Sequence, residues 1–417
     1  MERRGFLKTA LAAAGGVAMP PLLSARAAGG GGKTPPSEQI TMGIIGVGGR
    51  ARQVLPVFLA QDDVRVLAVC DVARKARQKG KSMVDDTYGT DDCDTYRDMR
   101  EMLARDDIDT VYIAVGDRWH SQASILAMKA GKDLYCEKPV SLTIAEGRAL
   151  AEAVDRYGRI YEAGCQRRSV GNFQFAIHLA RSGKLGELQT VHASIPWLGA
   201  NKGRLPAQSQ PPKEELDWDL WLGPVPWHAY NEKWYDGLWK RYWDFSGGGI
   251  TEWGAHTLDL CQLANDSPLT PPVEYWRGED GRMRARYENG VEVIFRKDGW
   301  EGTCGVRFEG QEGWVETDDS GKVQVEPQSL QAERELHTES WKRPVEHPRD
   351  FLECVKSRER PIAYAETVHQ SHVGCHAANI SLRLGRKVRW DPNNARFVDD
   401  DVANRMRSRA DRQPWYL

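Results

Sequence analysis

Glu252 and His256 stand four residues apart within Gly247-Gly248-Gly249-Ile250-Thr251-Glu252-Trp253-Gly254-Ala255-His256, the spacing that puts two side chains on one helix face. A carboxylate so placed can orient an imidazole or relay its proton while both address one substrate, which is general acid–base chemistry. The competing reading is a pair that only packs or caps its helix. A metal pair is disfavoured, because further ligands at zinc-site spacing are missing nearby. Far upstream, Gly46-Val47-Gly48-Gly49-Arg50-Ala51 follows the β-branched run Ile40–Ile45 and precedes Val54, Leu55, Phe58 and Leu59 at helical spacing. Gly46 permits a tight turn, Gly48 lets the backbone approach a pyrophosphate, and Ala51 lets the helix pack closely on the strand. With Gly49 and Arg50 between them, these residues open a helix whose amino terminus favours phosphate.

The elements that must position these groups follow in order. Val64–Cys70 reads as a second buried strand that ends at Asp71, about 20 residues beyond Ala51. A carboxylate there accepts hydrogen bonds from both ribose hydroxyls and repels a 2′-phosphate, so NAD is expected rather than NADP. Arg74 argues the other way, since it could pair with that phosphate; its alternative is a solvated helix residue. Thr110–Val115 reads as a third strand running into Gly116-Asp117-Arg118-Trp119-His120, at the carboxyl-end position where open sheets hold ligands. Val115 and His120 thus stand near the nicotinamide ribose, although His120 could equally cap the next helix. Strands alternating with helices over residues 39–164 predict a Rossmann-type, doubly wound parallel sheet, an α/β domain. From Gln166 the pattern changes to a helix at Phe173–Arg181 and strands near Leu188–Ile195, Arg282–Tyr287, Glu292–Phe295, Thr303–Phe308, Gly313–Glu316 and Lys322–Val325. Residues 165–417 therefore read as an α+β domain, an antiparallel sheet with helices on one face.

Composition narrows the function classes. The 417 residues suit two domains, and no apolar run reaches the roughly 20 residues of a membrane span. Formal net charge is −2, and the five charged residues among the first 27 contribute +3, leaving a mildly acidic body without a Lys/Arg stripe. That argues against nucleic acid as a partner. Eight scattered cysteines show no CxxC and read mostly as small buried hydrophobes. Arg3-Arg4-Gly5-Phe6-Leu7-Lys8, the apolar stretch Thr9–Leu23 and Ser24-Ala25-Arg26-Ala27 have the layout of a twin-arginine export signal. Residues 1–27 are thus expected to be a signal peptide, 28–38 a flexible linker, and the protein periplasmic or secreted, exported folded.

After Leu134-Tyr135-Cys136 comes Glu137-Lys138-Pro139. With the glycine turn, the strand end at Asp71, the Glu162-to-Arg168 segment, the Glu252/His256 motif and the closing Arg412-Gln413-Pro414-Trp415-Tyr416-Leu417, the chain resembles the glucose-fructose oxidoreductase / inositol dehydrogenase / MocA family in its exported bacterial branch. Alone, Lys138 reads as a surface lysine. The resemblance implies that it is the active-site lysine, and a lysine beside a cationic nicotinamide and partly desolvated should lose proton affinity, as a base requires. The resemblance further implies cofactor contacts from Glu137, Lys138 and Gln166, a substrate contact from Arg168, a large, open, mostly antiparallel carboxy-terminal sheet, and a homo-oligomer, dimer or tetramer, formed on its outer face. The family usually has aspartate where this chain has Glu252, which leaves the role of Glu252 more open than that of His256.

Seven tryptophans lie from Trp218 to Trp253 inclusive. Many such residues are core, yet a loop-rich belt leading into the Glu252/His256 motif suits sugar recognition, with Arg241, Tyr242 and Asp244 as hydroxyl readers beside Lys138 and His256. His369, His372 and His376 share a helix face without an accompanying carboxylate or thiolate set, so they read as a packed helix. The leading expectation is an NAD(P)-dependent oxidoreductase moving a hydride between a sugar or polyol hydroxyl carbon and nicotinamide. An enzyme that oxidises a sugar hydroxyl transiently to cleave a glycoside needs the same residues. A catalytically silent binding protein is disfavoured by the presence of both Lys138 and His256.

Overall fold

The computed structural model describes Pro35 and residues 38–200, 203–334 and 347–415. The expected leader and most of the linker lie outside the described residues. Strands β1 (Ile40–Ile45), β2 (Val64–Cys70), β3 (Asp94–Tyr96), β4 (Thr110–Ile113), β5 (Asp133–Cys136) and β6 (Tyr161–Ala163) form an all-parallel sheet in the order β3-β2-β1-β4-β5-β6. Every residue of β4, β5 and β6 is buried, as a parallel sheet covered on both faces requires. Ile44, Val69 and Tyr112 enter one apolar cluster with Val54 and Phe58 of the helix Gly49–Leu59, while their neighbours Ile45, Cys70 and Ile113 enter another with Met128 and Leu150. Strand order reverses between β1 and β4, so a crevice opens at their carboxyl ends.

The chain returns to this first sheet late. Phe351, Leu352 and Cys354 of the helix His347–Ser357 complete the cluster beneath Phe58 and Tyr135, and Arg349 holds Asp63 through two hydrogen bonds of 2.7 and 2.8 Å. The boundary expected at residue 164 separates the two sheets but not the two cores.

Strands β7 (Leu188–Ser194), β8 (Glu274–Arg277), β9 (Met283–Arg286), β10 (Glu292–Arg296), β11 (Val306–Gly310), β12 (Trp314–Thr317), β13 (Val323–Glu326), β14 (Val388–Asp391) and β15 (Arg396–Phe397) form the second sheet, ordered β13-β12-β11-β7-β10-β9-β8-β14-β15. It is antiparallel except for the β7/β10 pair. Met283, Ala285, Val293, Phe295, Val306, Phe308 and Val315 are buried with residues of the helices Gly171–Arg181, Gly249–Ala264 and Ala365–Leu384. Alternate residues on the other face pair as Arg284–Glu292 and Arg296–Glu316, the two-sided pattern of an antiparallel sheet. This is the predicted fold class. Strands β3, β8, β14 and β15 were not expected; at two to four residues each they carry too little alternation to read. No described helix is long and apolar enough to cross a membrane.

Candidate active site

A cleft of about 850 Å³ runs from the glycine turn, past the ends of β1 and β4, to the helix Gly249–Ala264. At its dinucleotide end, Gly46 has φ +89°, and a Cβ there would come within 2.6 Å of Ala114 O, so only glycine fits. A Cβ built on Gly48 or Gly49 would instead meet nothing within 4 Å. The helix beginning at Gly49 has no side-chain cap and no acid in its first turn, so its amino-terminal N–H groups are available to an anion. Ala51 is fully buried in the helix–sheet packing and touches the site only through the turn it permits. Asp71 accepts from Val47 N at 2.8 Å and Ala73 N at 2.9 Å, locking the second strand end to the turn while keeping lone pairs for ribose. Arg74 turns outward to Glu215 at 2.9 Å, the solvated alternative for that residue.

Beyond β5, Glu137 is a buried hub. Its Oε1 accepts from Arg50 Nε at 3.0 Å, Gln166 Nε2 at 3.1 Å and Tyr112 Oη at 3.3 Å. Its Oε2 and Gln166 Oε1 are buried without a partner among the described residues, so polar capacity remains for a bound group. His120 donates from Nδ1 to Pro139 O at 2.6 Å, bracing the turn that carries Lys138; burial pushes its imidazole down to about 4. Val115 and His120 both line the cleft.

At the reaction end, Lys138 Nζ donates to Glu252 O at 2.8 Å and lies 3.4 Å from Glu252 Oε1. Lys240 reaches the same Oε1 at 2.6 Å. Burial alone would raise the Glu252 carboxyl, but the two lysines hold it down at about 2. Asp117, facing the same cleft, is pushed up to about 7 by burial and then by the charge of Glu252. His256 lies one turn on from Glu252 as the spacing predicted. Burial, then Arg167 and Lys138, hold its imidazole far below the ordinary range. Arg167 Nη1 lies 3.2 Å from His256 Nε2; because guanidinium only donates, Nε2 is the unprotonated nitrogen. Arg167 is itself fixed by Asp319 at 3.0 and 2.6 Å.

Four residues expected to contact substrate are not among those lining the cleft. Arg168 points away from the cleft into the interior, where Asp259 takes its guanidinium at 2.7 and 2.5 Å, because a buried cation needs a buried anion. Asp244 is drawn to the buried His228 at 2.9 Å. Tyr242 packs against the indole of Trp234. Arg241 lies over the ring of Trp197 at 4.2 Å, in a side pocket that meets the cleft at Lys240. Of the belt, Trp221, Trp239 and Trp253 line the cleft, whereas Trp218 and Trp234 are buried behind it in a stack. His369, His372 and His376 are buried in the helix Ala365–Leu384, His372 bonded to Val368 O and His376 facing Ser141. All eight cysteines are buried thiols.

The description "Oxidoreductase family, NAD-binding Rossmann fold" matches residues 40–165, and "Oxidoreductase family, C-terminal alpha/beta domain" matches residues 184–417, both within Gfo/Idh/MocA. The chain belongs to the Gfo/Idh/MocA oxidoreductase family. Its first domain is an NAD(P)-binding Rossmann domain. A glycosyl hydrolase family 109 protein of Saccharopolyspora erythraea is 34% identical over 37% of this chain and 36% of its own length. One from Shewanella pealeana is 30% identical over 60% of this chain and 52% of its own. The chain therefore spans about a third to a half of these relatives. Among solved structures, myo-inositol 2-dehydrogenase from Lactobacillus plantarum superposes with TM-score 0.58 at 17% identity, covering 84% of this chain and 99% of that one. Aldose-aldose oxidoreductase from Caulobacter crescentus, complexed with glycerol, gives TM-score 0.58 at 19% identity over the same shares. At these identities the likeness speaks to fold.

Proposed function

We propose that this family member oxidises a hydroxyl carbon of a sugar or polyol at the end of the cleft where Lys138, Glu252 and His256 meet, with NAD in preference to NADP. The observation that carries this reading is one continuous cleft lined by the Gly46–Arg50 turn and Asp71 and also by Lys138, Glu252 and His256. The turn and Asp71 would hold pyrophosphate and ribose, and Glu137 with Gln166 would face the nicotinamide half. When bound, the nicotinamide supplies the hydride acceptor. The hydroxyl proton passes to the Lys138/His256 pair, with Glu252 fixing Lys138 and Nε2 of the neutral His256 becoming the acceptor once a substrate hydroxyl takes the place of Arg167. Trp239 and Trp253 offer flat apolar faces to a sugar ring.

Transient oxidation followed by glycoside cleavage is the second reading, favoured by relatives named as glycosyl hydrolases. One experiment separates the two: bound nucleotide is released and identified, then sugars and glycosides are assayed for lasting NADH and for solvent-deuterium exchange next to the oxidised carbon. Cleavage with exchange and no lasting NADH sinks the net dehydrogenase. Lys138→Ala lowers the chemical rate by about 10²–10⁴-fold in either case, with little change in nucleotide affinity. Full activity in both Lys138→Ala and His256→Ala overturns the site. We further propose export through Arg3-Arg4 and self-association on the open face of the nine-stranded sheet. Normal export of an Arg3→Lys/Arg4→Lys variant argues against the former, and a monomer by light scattering against the latter.

A further inference from the structure

The cleft continues beyond Asp71 past the end of β3, and there one wall comes from a distant part of the chain. Trp415 lines the cleft. Its ring meets Trp119 edge-on at 5.0 Å between centroids, and Arg100, which follows β3, lies over it at 4.9 Å. The segment leading to it is pinned to the helix Trp218–Leu222 and the turn that follows it. Arg412 Nη1 donates to Asp219 Oδ1 at 2.6 Å, Arg412 Nη2 to Gly223 O at 2.8 Å, and Arg412 N to Pro224 O at 2.7 Å. Trp415 N then closes a turn onto Arg412 O at 2.9 Å. Despite this anchoring, the indole Nε1 of Trp415 is buried without an acceptor among the described residues, and a buried donor left unmatched costs free energy that a bound acceptor would recover.

A dinucleotide lying across the switch point places its nicotinamide over the β4–β6 half and its adenine over the β2–β3 half, beyond the ribose carboxylate. Arg100 stands on that second half, and Trp415 spans from it to Trp119, which follows β4. Adenine offers a flat π face to the indole ring, and the oxygens of its ribose offer acceptors to the in-plane N–H. We propose that Arg412–Trp415 is an adenine clamp: Trp415 walls the adenosine subsite, and Arg412 is the positioning residue that holds the segment closed over it. The inference rests on the dinucleotide reading of the cleft and predicts slow cofactor release, since the segment must lift for adenosine to leave.

The test measures binding of NAD, ADP-ribose and nicotinamide mononucleotide to the full chain by calorimetry, with NADH release followed by stopped-flow fluorescence. Trp415→Ala should weaken NAD and ADP-ribose about 10-fold or more, the usual worth of one base–aromatic stack, and speed NADH release by a similar factor. Nicotinamide mononucleotide, which lacks adenosine, should bind unchanged. Arg412→Ala should reproduce the pattern, and Trp415→Phe, which keeps the face and loses the N–H, should fall between. Unchanged ADP-ribose affinity in Trp415→Ala, or equal losses for the mononucleotide, overturns the clamp. Failure of the wild type to bind any of the three overturns the dinucleotide reading instead. Should Trp415→Ala not fold, Trp415→Phe and Arg412→Ala still decide the matter by the same comparison.

Discussion

Removing one partner of the Arg168–Asp259 pair should damage stability, not substrate recognition. Arg168 is 3% exposed and Asp259 1%, and two hydrogen bonds of 2.7 and 2.5 Å join them. Arg168 also donates to Ile362 O at 2.7 Å and Thr367 Oγ1 at 3.0 Å, tying the start of the second domain to the segment that returns to the first. Asp259→Leu would leave the guanidinium buried without its anion, an arrangement that costs about 3–5 kcal/mol. With an unfolding entropy near 0.8 kcal/mol/K for a chain of this size, Tm should fall by about 4–6 °C. Arg168→Met leaves the carboxylate and Ile362 O stranded and should fall similarly. The double variant Arg168→Met/Asp259→Leu should recover to within about 2 kcal/mol of wild type, because a buried pair can be replaced by apolar groups of like volume. Calorimetric Tm and urea midpoints on all four proteins complete the cycle, with KM measured on each folded sample. An Arg168→Met protein with unchanged Tm and a raised KM would refute this reasoning and return Arg168 to the substrate site.

Asp71→Ala should weaken both nucleotides, because Val47 N and Ala73 N lose their acceptor, but NAD more than NADP; tighter binding of NADP than NAD by the wild type would refute the assignment. Gly46→Ala should destabilise by about 1–3 kcal/mol or more through its positive φ and the Ala114 O clash, and lose nucleotide affinity; an unchanged Tm would contradict the geometry. The Asp117 carboxyl, raised to about 7 in the folded state against 3.8, contributes stability that is complete below pH 3.8 and is lost as pH rises through 7. Relative to Asp117→Asn, wild type should therefore lose stability on the order of 1 kcal/mol between pH 6 and pH 8 in urea titrations; parallel pH dependences would show that Asp117 is already ionised.

Contiguous features were legible in the sequence, whereas those made by chain returns were not. The glycine turn, the Asp71 strand end and the Glu252/His256 spacing each lie within one element, so their geometry follows from local periodicity. Arg167 and Arg168 are neighbours that sequence alone does not tell apart. A four-residue 3₁₀ turn sends the first to the cleft and the second inward, a difference that only Asp319 and Asp259, far along the chain, make visible. Lys240 sits within a belt dominated by aromatics, and its being the lysine nearest in sequence to Glu252 is the one signal of its role. The hold of His228 on Asp244, 16 residues apart, is likewise a contact that local spacing does not show.

The late return of His347–Ser357 to the first sheet bears on how the protein is synthesised. A ribosome adding about 5–20 residues per second needs about 10–40 s to traverse the stretch between Ala163 and His347. Throughout that interval Tyr135 lacks the rings of His347 and Phe351 that cover it in the finished molecule, and the nascent first domain presents an unfinished apolar face. Such a face invites chaperone binding. A ribosome-stalled chain ending near residue 330 should therefore be captured by a chaperone holdase and retain little nucleotide, whereas one extended past Ala365 should release the chaperone as the nucleotide site matures.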